Sequence, residues 1–263
     1  MYAFDIKRPR SVEEAVAALA DGEAQALGGG QTLIPTLRQR LADPGTLVSL
    51  SGIAELKYVR MEGDVLRIGG GTTHAQVARE AAAHYPALAS LAGRIGDPAV
   101  RNRGTIGGSL ANNDPSACYP AGALGSNATV VTGAREIAAD DFFQGLFETA
   151  LDEGEIVTEV RFPVPEAARY EKFIQPASRF ALVAVFVARF AGGVRVAVTG
   201  ASESGVFRWA EAEAALAADF TPEVVRGLTV QAEGMIGDLH GSAEYRAHLV
   251  GVITRRAVEG ALA

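Results

Sequence analysis

The stretch that decides this chain is Val100-Arg101-Asn102-Arg103-Gly104-Thr105-Ile106-Gly107-Gly108-Ser109-Leu110-Ala111-Asn112, together with an earlier cluster, Gly28-Gly29-Gly30-Gln31-Thr32-Leu33-Ile34-Pro35. In both, glycines stand where an apolar segment gives way to a polar loop. Neither fits the G-x-G-x-x-G dinucleotide fingerprint. Without a Cβ, a glycine amide comes close to a ligand and φ turns positive at no steric cost. Two such loops are able to cradle a pyrophosphate through successive N–H donors. The plainer reading is that each is a tight turn.

The pattern around the first cluster is strand, loop, helix. Ala24 to Leu27 reads as a short buried strand, and Leu33, Ile34, Leu37 and Leu41 show helical spacing. Pro35 falls in the first turn of that helix, where its missing N–H does little harm. Upstream, Ser11-Val12-Glu13-Glu14 is a capping box, and Val12, Ala15, Val16 and Leu19 form one apolar face. Thr46 to Leu50 reads as a strand, and Lys57 to Met61 and Val65 to Gly69 as a hairpin. Thr73 and Gln76 cap a helix running to about Ala83, and Asn127 to Thr132 and Glu155 to Phe162 read as strands.

Pro163-Val164-Pro165 is a stiff connector. Beyond it, Tyr170 to Gln175, Ala181 to Phe190 and Val194 to Thr199 read as three antiparallel strands. Helices follow at Trp209 to Ala217, at Thr221-Pro222 and at Ser242 to Leu262. The fold class is therefore α+β, divided into residues 1–55, 56–163 and 164–263.

The 263 residues are 48% hydrophobic and 21% charged, with a formal charge of −7. An acidic balance argues against nucleic acid, whose phosphates need a basic footprint. The single cysteine, Cys118, cannot hold an iron–sulfur cluster, which takes about four thiolates. Four scattered histidines (His74, His84, His240, His248) show no metal spacing. No metal site and no catalytic residue is expected on this chain. No apolar run approaches the roughly 20 residues of a membrane span. The first residues lack a basic and an apolar leader region, so a cytoplasmic protein is expected.

Gly28 to Pro35 resembles the A-G-G-x-S-L-x-P loop of the FAD-binding medium subunits of molybdenum hydroxylases. Val100 to Asn112 resembles that family's second flavin loop. The similarity extends over the whole chain and is to medium chains of the carbon-monoxide dehydrogenase type and to the flavin segment of xanthine dehydrogenase. It implies a two-subdomain flavin fold of the PCMH, or vanillyl-alcohol-oxidase, type followed by a C-terminal domain. It implies FAD as cofactor, with Gly28, Gly29, Gly30, Gln31 and Thr32, and Thr105, Ile106, Gly107, Gly108 and Ser109, along its diphosphate. Val157 matches a strand near the flavin, and Lys172 a lysine position near the isoalloxazine, where a cation suits an anionic reduced ring. The plain alternatives are a core valine and a solvated strand lysine. His74 is either a flavin-facing residue or a helix-start histidine, and Arg101 and Arg103 either pair with phosphate or serve the loop.

One departure stands out. Relatives have an aspartate for the adenosine ribose where this chain has Cys118, in Asp114-Pro115-Ser116-Ala117-Cys118. A thiol cannot accept two hydroxyl hydrogen bonds as a carboxylate does, so Asp114 or a water is the expected substitute. Nothing in the surrounding sequence marks an activated thiol.

The function implied is electron transfer. A large partner subunit would carry the molybdenum cofactor, a small one the [2Fe–2S] clusters, and this chain the FAD that hands electrons to an external acceptor. Two alternatives are a self-contained flavin oxidase or dehydrogenase of the same fold and a docking subunit that has lost its flavin.

Overall fold

The computed structural model describes residues 1–20 and 22–263. The first unit holds β1 (Asp5–Lys7), α1 (Val12–Leu19), β2 (Ala24–Leu27), α2 (Leu33–Arg38) and β3 (Thr46–Ser49). Its three strands are parallel in the order β1-β3-β2. α1 begins where expected: the Ser11 hydroxyl accepts from Glu14 N–H at 3.2 Å. The Glu14 carboxylate reaches back to Arg10 N–H at 2.8 Å, one residue before the usual partner. Ala15 and Leu19 are buried, but Val16 is 41% exposed, because the small sheet covers only part of the helix. β2 is only partly buried, not the buried strand that the sequence suggests.

The second unit begins with the hairpin β4 (Val59–Glu62) and β5 (Val65–Gly69) and continues with five short helices. These are α3 (His74–Glu80), α4 (Pro86–Gly93), α5 (Pro98–Arg101), α6 (Ile106–Asn112) and α7 (Cys118–Gly125). β6 (Thr129–Thr132), β7 (Glu136–Ala138), α8 (Ala139–Phe142), the ribbon β8 (Phe143–Gly145) and β9 (Glu148–Thr149), and β10 (Val157–Pro163) complete it. The five-stranded sheet runs β4-β5-β10-β6-β7, so the last strand inserts at its centre between two hairpins. Leu66, Ile68, Val160 and Phe162 form its covered face, packed in one core with Val77, Leu88, Leu91 and Ile106 from the helices.

The third unit is a four-stranded antiparallel sheet, not three-stranded. β11 (Ala167–Ile174), β12 (Ala181–Phe190), β13 (Gly193–Ser202) and β14 (Gly205–Arg208) pair in order, followed by α9 (Ala210–Ala218) and α10 (Ala243–Leu262). The extra strand is short, and its pairing with β13 is broken by a register shift, so it carries little alternation to read from sequence. The turn at Thr221-Pro222 makes only a 3₁₀ turn, Pro222–Val225.

β12 explains how the units are joined. Its run Ala181 to Ala188 is buried on both faces, as continuous apolar strands are. Ala184, Phe186 and Ala188 belong to the same core as α4 and α7, whereas Val183, Val185 and Val187 pack with Leu249, Val250 and Ile253 of α10. No helix among the described residues is long and apolar enough to cross a membrane.

Candidate functional site

The two glycine clusters meet. A Cβ built on Gly29 would lie 2.0 Å from the carbonyl oxygen of Arg103, and one on Gly28 would lie 3.0 Å from Thr105 Oγ1. The loops approach main chain to main chain, which only glycine allows.

A third loop holds them, Gly69-Gly70-Gly71-Thr72-Thr73, where the sequence shows glycines but no assigned role. Gly70 N–H donates to Thr158 O at 2.8 Å and Gly71 N–H to Leu56 O at 2.8 Å. Gly70 O accepts from Gly107 N–H at 2.9 Å, Thr72 O from Ile106 N–H at 3.1 Å, and Gly104 O from His74 N–H at 3.0 Å. A Cβ on Gly107 would meet Gly70 O at 2.7 Å.

This arrangement corrects the donor set expected from sequence. The amides of Ile106 and Gly107 are spent on the third loop, and Gly108 N–H is spent on the Thr105 hydroxyl at 3.2 Å. These residues shape the loop but offer no free N–H. The first loop differs. Among the described residues, the amides of Gly29, Gly30, Gln31 and Thr32 have no acceptor, and the Thr32 hydroxyl caps nothing. Gly30 has φ +72°, the left-handed conformation that turns successive amides toward one point. The hydroxyls of Thr105 and Ser109 remain able to donate. Arg101 is structural, donating to Ile95 O and Gly96 O. Arg103 is exposed; its N–H donates to Val100 O at 3.1 Å, and its guanidinium makes no hydrogen bond or ion pair among the described residues. The loop that packs on this run of free amides through the Arg103 carbonyl also carries that unpaired cation, a donor set that fits a diphosphate.

Other expected residues fall elsewhere. The Val157 side chain lies in the hydrophobic core, and a Cβ on Gly70 would lie 1.9 Å from its carbonyl oxygen, so its main chain supports the third loop. Asp114 is half-buried and accepts from Ser116 N–H through Oδ1 at 2.8 Å, while Oδ2 has no partner among the described residues. Burial raises its pKa above the ordinary aspartate value.

Lys172 is not a solvated strand lysine. It is buried on β11, donating to Arg94 O at 3.1 Å and to Cys118 Sγ at 3.4 Å. Positions 118 and 172, assigned by resemblance to opposite ends of the dinucleotide, are neighbours in this chain.

Sequence reading left Tyr119 and Asn113 out and gave His74 no firm role. His74 is buried against Tyr119, with ring centroids 5.3 Å apart. Burial, and then the Arg101 charge, lower its pKa to about 4, so the ring is neutral at pH 7. Its Nδ1, the Tyr119 hydroxyl and Asn113 Oδ1 are buried without a hydrogen-bond partner among the described residues. Native interiors rarely leave such atoms unpaired, so a polar molecule is expected to meet them. The adjacency of His74 to the third glycine loop was the one signal in the sequence.

The sequence profile described as the FAD binding domain in molybdopterin dehydrogenase matches residues 2–165. The chain belongs to the FAD-binding medium subunits of the molybdopterin dehydrogenases. Among such subunits, the carbon monoxide dehydrogenase medium chain of Afipia carboxidovorans is 37% identical, over 99% of this chain and 97% of that one. The nicotine 6-hydroxylase medium subunit of Paenarthrobacter nicotinovorans is 34% identical, over 95% of this chain and 94% of that one. The fold matches a solved structure of carbon monoxide dehydrogenase from Hydrogenophaga pseudoflava that lacks the Mo-pyranopterin moiety of its cofactor. There the TM-score is 0.89 and the identity 33%, over 99% of this chain and 98% of that one. Medium subunits of this family are parts of molybdenum-containing oxidoreductase complexes, and this chain is such a part.

Proposed function

We propose that this chain carries FAD and relays electrons from [2Fe–2S] centres on a small partner subunit to an external acceptor. A large partner subunit would bear the molybdenum cofactor and perform the hydroxylation. The observation that carries the reading is the first loop, whose four amides have no acceptor among the described residues and which packs on the main chain of Arg103, whose guanidinium is likewise without a partner there. In this reading Gly28 to Thr32 and Arg103 hold the diphosphate, with the hydroxyls of Thr105 and Ser109 supporting it. Ile106, Gly107 and Gly108 fix the loop's shape, Val157 backs it, and Asp114 Oδ2 accepts from the adenosine ribose. Lys172 and Cys118 serve one end of the cofactor together. When bound, the flavin supplies the two-electron chemistry, and the protein supplies position and field.

The division into 1–55, 56–163 and 164–263 belongs to the same proposal, as does a cytoplasmic location. The substrate is chosen elsewhere in the complex. The relatives above, named for carbon monoxide and for nicotine, align with this chain almost end to end.

The test is direct. The purified chain is expected to be yellow and to release FAD on denaturation in near-equimolar amount, or to take it up when supplied. Co-expressed with its two partner subunits, it is expected to be reduced by the substrate of the complex. A colourless chain that takes up no FAD favours the flavin-free docking subunit. Turnover of a small alcohol by the isolated chain favours the self-contained oxidase.

A further inference from the structure

Cys118 opens α7 and is 5% exposed; Lys172 on β11 is 6% exposed. Their Sγ and Nζ lie 3.4 Å apart. Among the described residues the Lys172 amino group has two acceptors, that sulfur and Arg94 O, and no carboxylate. Buried amino groups are ordinarily paired with an acid, so the thiol occupies the place of a counter-ion. Tyr170 lies two residues before Lys172 on the same strand and hence on the same face. Its hydroxyl is fully buried beside Cys118, and burial and then that neighbour hold it well above 10; other than that sulfur it has no partner among the described residues. The Tyr119 hydroxyl, on the residue after Cys118, is equally buried and has no partner among the described residues. A sulfur nucleophile and an amine are thus in contact, with the Tyr170 hydroxyl beside the sulfur and free of other partners to receive a small polar molecule.

We propose that Cys118 and Lys172 are the two halves of a reversible oxidative cross-link, a sulfenamide formed with a hydroperoxide as oxidant. In the first step the sulfur attacks one peroxide oxygen and the O–O bond breaks. For hydrogen peroxide, the thiol becomes a sulfenic acid and the peroxide is reduced to water. In the second step the Lys172 ammonium first releases one proton to solvent, and the Nζ lone pair so freed attacks Sγ as the S–O bond breaks. The departing hydroxide leaves as water with a proton from Nζ, and no further oxidant is consumed. Condensation of a sulfenic acid with a nearby nitrogen is established thiol chemistry. Two equivalents of a small thiol reverse the link, giving back the cysteine and the lysine and leaving a small-molecule disulfide. The link joins α7 to β11, the first strand of the C-terminal sheet, and removes the cation that Lys172 carries. The inference does not depend on bound flavin.

The experiment uses the full chain, treated with hydrogen peroxide, quenched in acid and measured by intact mass and peptide mapping. The expected result is a loss of two hydrogens. One peptide pair joined through 118 and 172 is expected, uncut by trypsin at Lys172, with full return to the starting mass after dithiothreitol. Addition of one to three oxygens on Cys118 with Lys172 free overturns the proposal. So does an unchanged mass, or a link that retains an oxygen. Lys172→Arg keeps the charge but is expected to give oxygen adducts in place of the link. If that variant does not fold, the wild-type peptide map decides alone.

Discussion

Gly29 and Arg103 are in main-chain contact: any Cβ at position 29 would stand 2.0 Å from the Arg103 carbonyl oxygen. A backbone carbonyl held by its own loop cannot swing away as a side-chain tip does. Gly29→Ala is therefore expected to force the first two glycine loops apart, at a cost of about 1–3 kcal/mol in stability. Flavin retention should fall with it. Thermal melting and the flavin-to-protein absorbance ratio measure both. Wild-type values in both would show that the loops are not in contact.

Gly107 and Gly108 are adjacent but do different things. A Cβ on Gly107 meets Gly70 O at 2.7 Å, whereas one on Gly108 meets only Thr105 Oγ1, at 3.0 Å. Gly107→Val is expected to destabilise even the flavin-free protein by about 1–3 kcal/mol. Gly108→Val should change stability by less than about 0.5 kcal/mol while still lowering FAD affinity, since its Cβ would crowd the Thr105 hydroxyl. Melting of the flavin-free variants, compared with FAD titration, separates the two. Equal destabilisation would count against the third loop's role.

His74 makes stability pH-dependent in mildly acid solution. Burial and Arg101 lower its pKa to about 4, below the roughly 6.5 of an unfolded histidine. Between these values the unfolded chain binds the extra proton, so stability falls as pH drops from about 6.5 to 4, by about 3 kcal/mol in all. Urea denaturation across this range should show the slope, and His74→Asn should flatten it. A variant with the wild-type slope would place the titrating group elsewhere.

A second acid-sensitive window belongs to Glu159. Its carboxylate receives Arg67, Arg161 and the Tyr58 hydroxyl, with Arg67 Nη2 at 2.7 Å. Burial opposes the charge, but these donors prevail and lower its pKa from 4.5 to about 2. The stabilisation is complete above about 4.5 and is lost as pH falls toward 2. Glu155, held low by Arg135, titrates in the same window. Glu159→Gln is thus expected to remove part of the acid-unfolding slope below pH 4.5 and leave the slope from 6.5 to 4.5 intact. Acid titration followed by circular dichroism reads this.

Cys118→Asp sets a carboxylate beside the Lys172 ammonium, in place of a sulfur 3.4 Å from Nζ. The buried amino group then gains an acid, and FAD retention should be unchanged or tighter by up to about tenfold, about 1.4 kcal/mol. Equilibrium titration with FAD measures it. A marked loss of binding would show that the thiol has a task of its own.

Local signals were legible in the sequence because they are fixed by neighbours a few residues apart. Ser11 and Thr73 cap α1 and α3 as read, at 3.2 and 3.3 Å. The glycine runs marked the loops, and the second loop's extended pattern pointed to the family that the profile match identifies. Which amides stay free was not legible. Gly29 and Gly107 look alike in the chain, but Gly107 N–H finds Gly70 O, 37 positions earlier, while Gly29 N–H finds no acceptor among the described residues. The meeting of Cys118 with Lys172, 54 positions apart, was equally hidden. Composition, periodicity and turn chemistry settled where the backbone bends and which faces are apolar. Only the packed fold decided which bend keeps its donors and which buried charge lacks an acid, since hydrogen-bond partners and burial are set by segments brought together from far along the chain.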